Sequence, residues 1–302
     1  MRPLTSRLDR WLAARGEAAR RRLDPKFRHA VYLEHPPSAD PSPRYGHGRP
    51  AQARIERWLA SRRPDYSALL ARLARHGDAV AALPVTADPS ATDPGLVQEW
   101  LPGGDILALY GLVRETAPAR YVEVGSGTST KVVGRARRDG GLTTHVTSID
   151  PAPRAEVDAL CDRVVRAPLE TVDLALFDDL EAGDMVFMDG SHVAFMGSDV
   201  VAFTFEVLPR LAPGVLVGVH DVFWPSDYPP GWAGYGFNEQ YVLGGLLLGE
   251  PTWLEPVLPV HYVTGDPELS APLQAVWDRP GLEPVERRGS TLWLRTLAPL
   301  RT

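Results

Sequence analysis

An α/β fold, a mostly parallel sheet with helices on both faces, is predicted by three features of the sequence. From about residue 90 onward, short apolar runs alternate with stretches of helical period. One run, "YVEVGSGTST" at 121–130, passes from an apolar strand through two glycines into small hydroxyl residues, as a strand-to-helix turn does. Near the C-terminus "TWLEPVLPV" and "STLWLRT" read as two strands with no convincing helix between them, which predicts an antiparallel hairpin closing one edge.

Taken in order, Leu4, Leu8, Trp11 and Leu12 recur at helical spacing between Leu4 and Arg28, and Ile55, Trp58 and Leu59 form a second stripe. The link between them, "EHPPSADPSPRYGHGRP", is dense in Pro, Gly and Ser and reads as irregular. A third helix is expected over Tyr66 to Leu83. Together these make an N-terminal helical extension, 1–90, before a main domain, 91–302. Basic amphipathic helices pack on their own domain, grip a second copy of the chain or lie on a membrane. Packing is the favoured expectation, with a homo-oligomer through these helices as the alternative. In the main domain strands are expected at Tyr121 to Val124, His145 to Ile149, Val164 to Arg166, Met185 to Met188 and Val215 to Val219, with helices between them.

The 302 residues, 44% hydrophobic and 23% charged, suffice for a full core. A net charge of -6 and a pI near 5.8 argue against a nucleic-acid partner, which would favour a basic face. The only cysteine, Cys161, excludes an intrachain disulfide, and no apolar run approaches the ~20 residues that span a bilayer. The N-terminal arginines are not followed by an apolar signal segment, so a cytoplasmic location is expected.

A strand running into Gly125-Ser126-Gly127 and then a helix from about Thr128 turns backbone N–H groups toward a ligand with no Cβ in the way. Such a turn also serves sterics alone, so its neighbours decide. Asp150 ends the next strand, about 20 residues on, where a carboxylate accepts hydrogen bonds from both hydroxyls of an adenosine ribose. These features fit a dinucleotide or S-adenosylmethionine. A pyrophosphate fingerprint would put its third glycine where Thr130 stands. Glu123 would repel a pyrophosphate and attract the ammonium of a methionine moiety.

On these residues the chain resembles the class I S-adenosylmethionine-dependent methyltransferases. Their first motif, acid-x-Gly-x-Gly-x-Gly, appears as Glu123-Val124-Gly125-Ser126-Gly127-Thr128-Ser129, with Ser129 replacing the last glycine. The blocks "VEVGSGTST", "FMDGSH" and "GVLVGVHDVFWP" are most similar to the small-molecule group called methyltransferase domain 24, and the likeness runs from roughly 95 to 260. The resemblance implies a Rossmann-like seven-stranded sheet and S-adenosylmethionine as methyl donor. It puts Glu123, Gly125, Ser126, Gly127 and Ser129 around the methionine part, Asp150 on the ribose, Leu169 and Glu170 near the adenine, and Asp189 also beside the donor.

Ligands of an open α/β sheet bind beyond the carboxyl ends of its strands, where "MDGSH" and "VHDVFW" should bring Asp189, His192, His220 and Asp221 together. Methyl transfer to oxygen or nitrogen is an in-line displacement, so the nucleophile must be aligned and its proton removed. His220 is the expected base, with Asp221 or Asp189 raising its pKa and fixing its tautomer; a histidine that merely ties down a loop is the alternative. His192, Asp199 and Glu206 fall at steps of seven on an expected helix, lining the pocket or facing solvent. Asp189 and Asp221 suit Mg²⁺ or Ca²⁺ beside a substrate with neighbouring hydroxyls. Related sugar-modifying methyltransferases have paired carboxylates after the fifth strand; His220-Asp221 here softens such a site toward a transition metal or abolishes it, and a metal-free histidine base is preferred.

The stretch "DVFWPSDYPPGWAGYGFNEQY" reads as an aromatic lid of Phe223, Trp224, Tyr228, Trp232, Tyr235 and Phe237, enclosing a planar or sugar ring or packing on the N-terminal helices. Glu239 is a further candidate for substrate contact. The expected activity is methyl transfer to an oxygen, less readily a nitrogen, of a small molecule such as a bacterial secondary metabolite. A nicotinamide-dependent oxidoreductase and a non-catalytic protein that binds the cosubstrate are the alternatives.

Overall fold

Alternation along the strands explains why this chain forms a sheet covered on both sides. Val122, Val124, Val186, Met188, Val217 and Val219 join one apolar cluster with Phe203 and Val207. Their neighbours Tyr121, Met185, Phe187 and Leu216 point the other way, into a cluster with Tyr66, Leu70, Leu107 and Trp293. The computed structural model describes residues 41–298 except 87, 89, 154 and 155, so the stripe from Leu4 to Arg28 lies outside the described residues.

Among the described residues seven strands pair in one sheet: β1 (Arg120–Val124), β2 (His145–Ile149), β3 (Arg163–Val165), β4 (Met185–Met188), β5 (Leu216–Val219), β6 (Leu254–Pro259) and β7 (Leu292–Thr296). Their order is β3-β2-β1-β4-β5-β7-β6. The first five are parallel, and β7 runs antiparallel to both β5 and β6. The edge pair is therefore antiparallel as expected, but it is not a hairpin. Helices α8 (Val260–Gly265) and α9 (Pro267–Trp277) stand between the two strands. The start of α9 was legible: Pro267 occupies its first position and Asp266 accepts from the Glu268 and Leu269 N–H groups.

Before the sheet come α1 (Ala53–Ala60), α2 (Arg63–Leu73), α3 (Gly77–Ala81) and α4 (Gly103–Thr116). Ile55 and Leu59 of α1 are buried in one cluster and Tyr66, Leu69, Leu70 and Leu73 of α2 in the other, so the helices before residue 90 share the core of the sheet. Helix α5 (Thr128–Gly140) follows β1 and stops at Gly141, which takes a left-handed φ of 58°. Helix α6 (Asp199–Ala202) continues into a π turn at Phe203–Val207, and α7 (Glu239–Leu247) follows the aromatic stretch. No helix among the described residues is long and apolar enough to cross a membrane.

Because β1 is flanked by β2 on one side and β4 on the other, the chain changes direction across the sheet there, and a crevice opens beyond the carboxyl ends of the strands. Closeness between β5 and β7 demands Gly218, where a Cβ would come within 2.8 Å of the Phe187 and Trp293 rings. We expect Gly218→Ala to lower the free energy of urea unfolding by about 1–3 kcal/mol at an unchanged denaturant slope, the cost of forcing a methyl into a packed core.

Candidate active site

Beyond the carboxyl ends of β1, β2 and β4 lies a cleft of about 680 Å³. Gly125, Ser126, Gly127, Ser129, Asp150, Leu169, Glu170 and Asp189 all line it. Gly125 is required twice over. Its φ is 81°, and a Cβ there would stand 1.8 Å from the Asp189 carbonyl oxygen. That close approach, with the Asp189 N–H donating to the Val124 carbonyl at 2.8 Å, puts Asp189 beside the glycine loop. A Cβ on Gly127 would meet nothing within 4 Å, so the space over it is open to a ligand. The Asp150 carboxylate accepts from the Ser126 N–H at 2.7 Å and the Ala152 N–H at 2.7 Å, which ties the end of β2 to the loop.

Glu123 departs from expectation, because it is fully buried and does not line the cleft. It shares the Tyr121 side of β1, and its carboxylate accepts from the Tyr121 hydroxyl at 3.0 Å and from the Thr130 hydroxyl. Thr130 in turn accepts from the Gly127 N–H at 3.0 Å. The residue that breaks a pyrophosphate fingerprint thus connects the buried acid to the loop. Burial pushes Glu123 up to about 7, while hydrogen bonds from Ser129, Thr130 and Tyr121 pull against it.

A second group of polar side chains adjoins the cleft through Asp189. Its carboxylate lies 3.2 Å from His220 Nδ1 and 3.3 Å from His192 Nε2. Asp221 is 3.4 Å from His192 Nε2 and 3.5 Å from His220 Nδ1. The four residues expected to converge do so. Two unforeseen residues, Asp105 and Ser290, and Glu239, singled out in the sequence for substrate contact, complete the group. Asp105, in the first turn of α4, lies 3.6 Å from His220 Nε2 and accepts from the Ser290 and Thr291 N–H groups at 2.7 and 2.9 Å. The Ser290 hydroxyl donates to Asp221 at 3.1 Å. Glu239, at the start of α7, is 2.9 Å from His192 Nδ1.

His192 is not on a helix with Asp199 and Glu206. Gly197, at φ 75°, precedes the Ser198 cap, and α6 begins only at Asp199. The Asp199 carboxylate accepts from the Ser191 N–H at 2.7 Å instead of facing His192. His192 and Asp221 hold left-handed backbones, φ 59° and 56°, of a kind that collects at functional sites when the surroundings enforce it. Here the His192 carbonyl accepts from the Asn238 and Glu239 N–H groups at 3.0 and 3.2 Å.

Burial alone would discharge both imidazoles, but neighbouring acids prevail. Hydrogen bonds to Asp189 and Glu239 push His192 up to about 10. The charges of Asp221 and Asp189 hold His220 well above the ordinary range. Burial would raise Asp189, yet the His220 charge and the His192 hydrogen bond hold it well below the usual carboxylate range. His220 is 2% exposed and does not line the cleft.

The aromatic stretch covers this group and packs on the chain before α1. The Phe237 ring centroid is 4.8 Å from that of His192, and Phe223 lies 5.2 Å from Trp232 and 5.3 Å from His261. Asp227 accepts from the Arg44 N–H at 2.8 Å, and the Pro225 carbonyl accepts from the Gln52 N–H at 2.9 Å. None of the six aromatics lines the cleft; Trp100 does.

The model of the methyltransferase domain family matches residues 122–222, the span that holds the glycine loop, Asp150, Asp189, His192, His220 and Asp221. The chain carries a methyltransferase domain. Solved structures similar to this methyltransferase include a putative O-methyltransferase from Klebsiella pneumoniae, at 14% identity over 81% of this chain and 99% of that one, TM-score 0.41. Another is the S-adenosylhomocysteine-bound methyltransferase PaMTH1 from Podospora anserina, at 16% identity over 63% and 77% of the two chains, TM-score 0.38. A third is an O-methyltransferase from Bacillus cereus in complex with S-adenosylhomocysteine, at 17% identity over 80% and 99%, TM-score 0.36. A search of the curated proteins found no match.

Sequence reasoning missed the stretch from Asp88 to Leu101, much of which lines the methyltransferase cleft, and it missed Lys131. For Lys131 a signal existed, since of 32 basic residues only Lys26 and Lys131 are lysine.

Glu123 makes a pH-dependent prediction. Between pH 4.5 and about 7 the folded chain keeps a proton on Glu123 that the unfolded chain has lost, so stability falls as pH rises through that window and is level above it. Compared with Glu123→Gln, which lacks this titration, the wild type should lose about 3 kcal/mol of unfolding free energy across the window. Urea denaturation of both proteins at about pH 5 and about pH 8 measures the difference.

Proposed function

We propose that this methyltransferase methylates an oxygen of a small molecule where the cleft meets the carboxylate–imidazole group. The observation that carries this reading is the position of Asp189, which lines the cleft and also lies within 3.3 Å of both imidazoles. Asp150 takes the ribose hydroxyls. Its oxygens already accept backbone N–H groups, but a carboxylate has about four acceptor sites. Leu169 and Glu170 flank the adenine, and Gly125 to Ser129 follow the methionine part. When bound, S-adenosylmethionine supplies a methyl group on a sulfonium. The substrate oxygen forms its bond to carbon as the sulfur–carbon bond breaks with its electrons staying on sulfur, and the hydroxyl proton passes to a base.

That base is His192 in our reading, acting from its neutral ring, which Asp189 and Glu239 make scarce below about pH 10, so turnover through it rises with pH. Glu239 holds its Nδ1, and its Nε2 faces Asp189 and Asp221. His220 suits the role less well than its sequence position suggests. Acids flank both nitrogens of each ring and neither ring lines the cleft, but His220 is the more deeply enclosed, at 2% against 6% exposed, and is also held against Asp105. It serves instead with Asp189 and Asp221 as a ligand set. Their donor atoms lie within 4.8 Å of one another, and Glu239 Oε1 nearby is buried without a hydrogen-bond partner among the described residues, so a divalent cation fits the charge of the group. Such an ion would lower the pKa of a coordinated hydroxyl and offset the carboxylate charge. With an imidazole replacing one carboxylate, the set favours a transition metal such as Mn²⁺ or Co²⁺ over Mg²⁺.

Incubation with labelled S-adenosylmethionine and a bacterial metabolite extract, followed by mass spectrometry, should yield a product heavier by one methyl that disappears with a chelator and returns with Mn²⁺. An undiminished yield under chelation would remove the metal from the reading. His192→Ala should lower kcat about 10²- to 10⁴-fold and leave the calorimetric affinity for S-adenosylhomocysteine unchanged. Wild-type turnover in that variant would rule His192 out as the base.

A further inference from the structure

Among the described residues, both polar neighbours of His220 Nε2 are hydrogen-bond acceptors. Asp105 Oδ2 lies 3.6 Å from it and the Ser290 hydroxyl oxygen 3.4 Å. A carboxylate has no proton to give. The Ser290 hydroxyl has one and donates it to Asp221 Oδ1 at 3.1 Å, so only a lone pair is left toward the ring. Nε2 must therefore carry a proton. A neutral imidazole with its proton there keeps its lone pair on Nδ1, the nitrogen that faces Asp189 at 3.2 Å and Asp221 at 3.5 Å.

The two acceptors are held in place by segments that stand outside the cleft, since neither Asp105 nor Ser290 lines it. Asp105 is 1% exposed, and its Oδ2 and Oδ1 accept from the Ser290 and Thr291 N–H groups at 2.7 and 2.9 Å. With both oxygens bound to backbone, the carboxylate is fixed against the ring. Glycines on the two segments permit that approach. A Cβ on Gly289 would come within 2.6 Å of Asp105 Oδ1, and one on Gly104 within 2.8 Å of the Arg287 carbonyl oxygen.

We propose that Asp105 and Ser290 are positioning residues, which keep the proton of His220 on Nε2 and so present the Nδ1 lone pair to a divalent cation shared with Asp189 and Asp221. The inference rests on the ligand-set reading above. An acceptor on the second nitrogen fixes the tautomer and the plane of a ligating imidazole and raises its basicity. Here the acceptors come from the first turn of α4 and the lead into β7, so the edge of the sheet sets the affinity of a site at its parallel strands.

NMR of the histidine nitrogens in the labelled full chain, loaded with Zn²⁺, tests this, the His220 signals being assigned by their loss in His220→Gln. Nε2 should keep its proton and Nδ1 should carry the metal; metal on Nε2 would overturn the proposal. Calorimetric titration with Mn²⁺ gives a second readout. Asp105→Asn should bind Mn²⁺ about 10- to 100-fold more weakly than wild type. Ser290→Ala should weaken binding in the same direction, and Ser290→Thr, which keeps the hydroxyl, should restore it. Unchanged affinity in a folded Asp105→Asn or Ser290→Ala would remove that residue from the proposal. Should the variants not fold, the wild-type spectrum decides, because it needs no change at either position. Wild type that binds neither Mn²⁺ nor Zn²⁺ would overturn the ligand-set reading itself, and this inference with it.

Discussion

Burial of Asp105, Asp189, Asp221 and Glu239 around two imidazoles is the constraint on which the site depends. Taking a charge out of water costs several kcal/mol per ion, and only close partners offset that. The partners here come from far apart in the sequence: the loops after β4 and β5, the first turns of α4 and α7, and the lead into β7. Removing any one acid leaves a charge or a donor stranded. Asp105 makes the point most plainly, since it binds the backbone of Ser290 and Thr291 and also stands against His220. It ties the antiparallel edge of the sheet to the reacting end of the parallel part.

The glycine loop obeys a related logic at smaller scale. Glu123 is buried for the sake of the loop, with Thr130 relaying its hydrogen bonding to the Gly127 N–H. Gly125 lets the ends of β1 and β4 close together, and through that contact Asp189 belongs both to the cleft and to the charged group. Cleft and charged group are coupled by a backbone approach that any side chain at 125 would prevent.

Aromatic residues and cleft residues divide the work. The stretch from Phe223 to Phe237 roofs the imidazoles and is fastened to residues 44–52, while the cleft is lined by the stretch around Trp100. Keeping water from the charged group therefore falls to a segment that does not line the cleft. Polar pairs in that shielded volume act more strongly than they would in water.

How much of this was legible in the sequence follows from the range of each interaction. Strand periodicity, the strand–glycine–helix turn and the acid ending the next strand are local patterns, and β1, β2, β4 and β5 lie where those patterns put them. Convergence of Asp189, His192, His220 and Asp221 followed from the rule that parallel strands present their carboxyl ends together. Contacts between segments remote in the chain were not legible: Asp105 against His220, Glu239 against His192, and the helices dividing β6 from β7. Nor was the loop conformation of His192, whose left-handed backbone is enforced by the start of α7. Sequence by itself determined the fold and many of the loop residues that line the cleft, because backbone geometry repeats over a few residues. Only the tertiary structure decided that both imidazoles are enclosed and which carboxylates share their charge, because desolvation and ion pairing depend on what the chain packs around them.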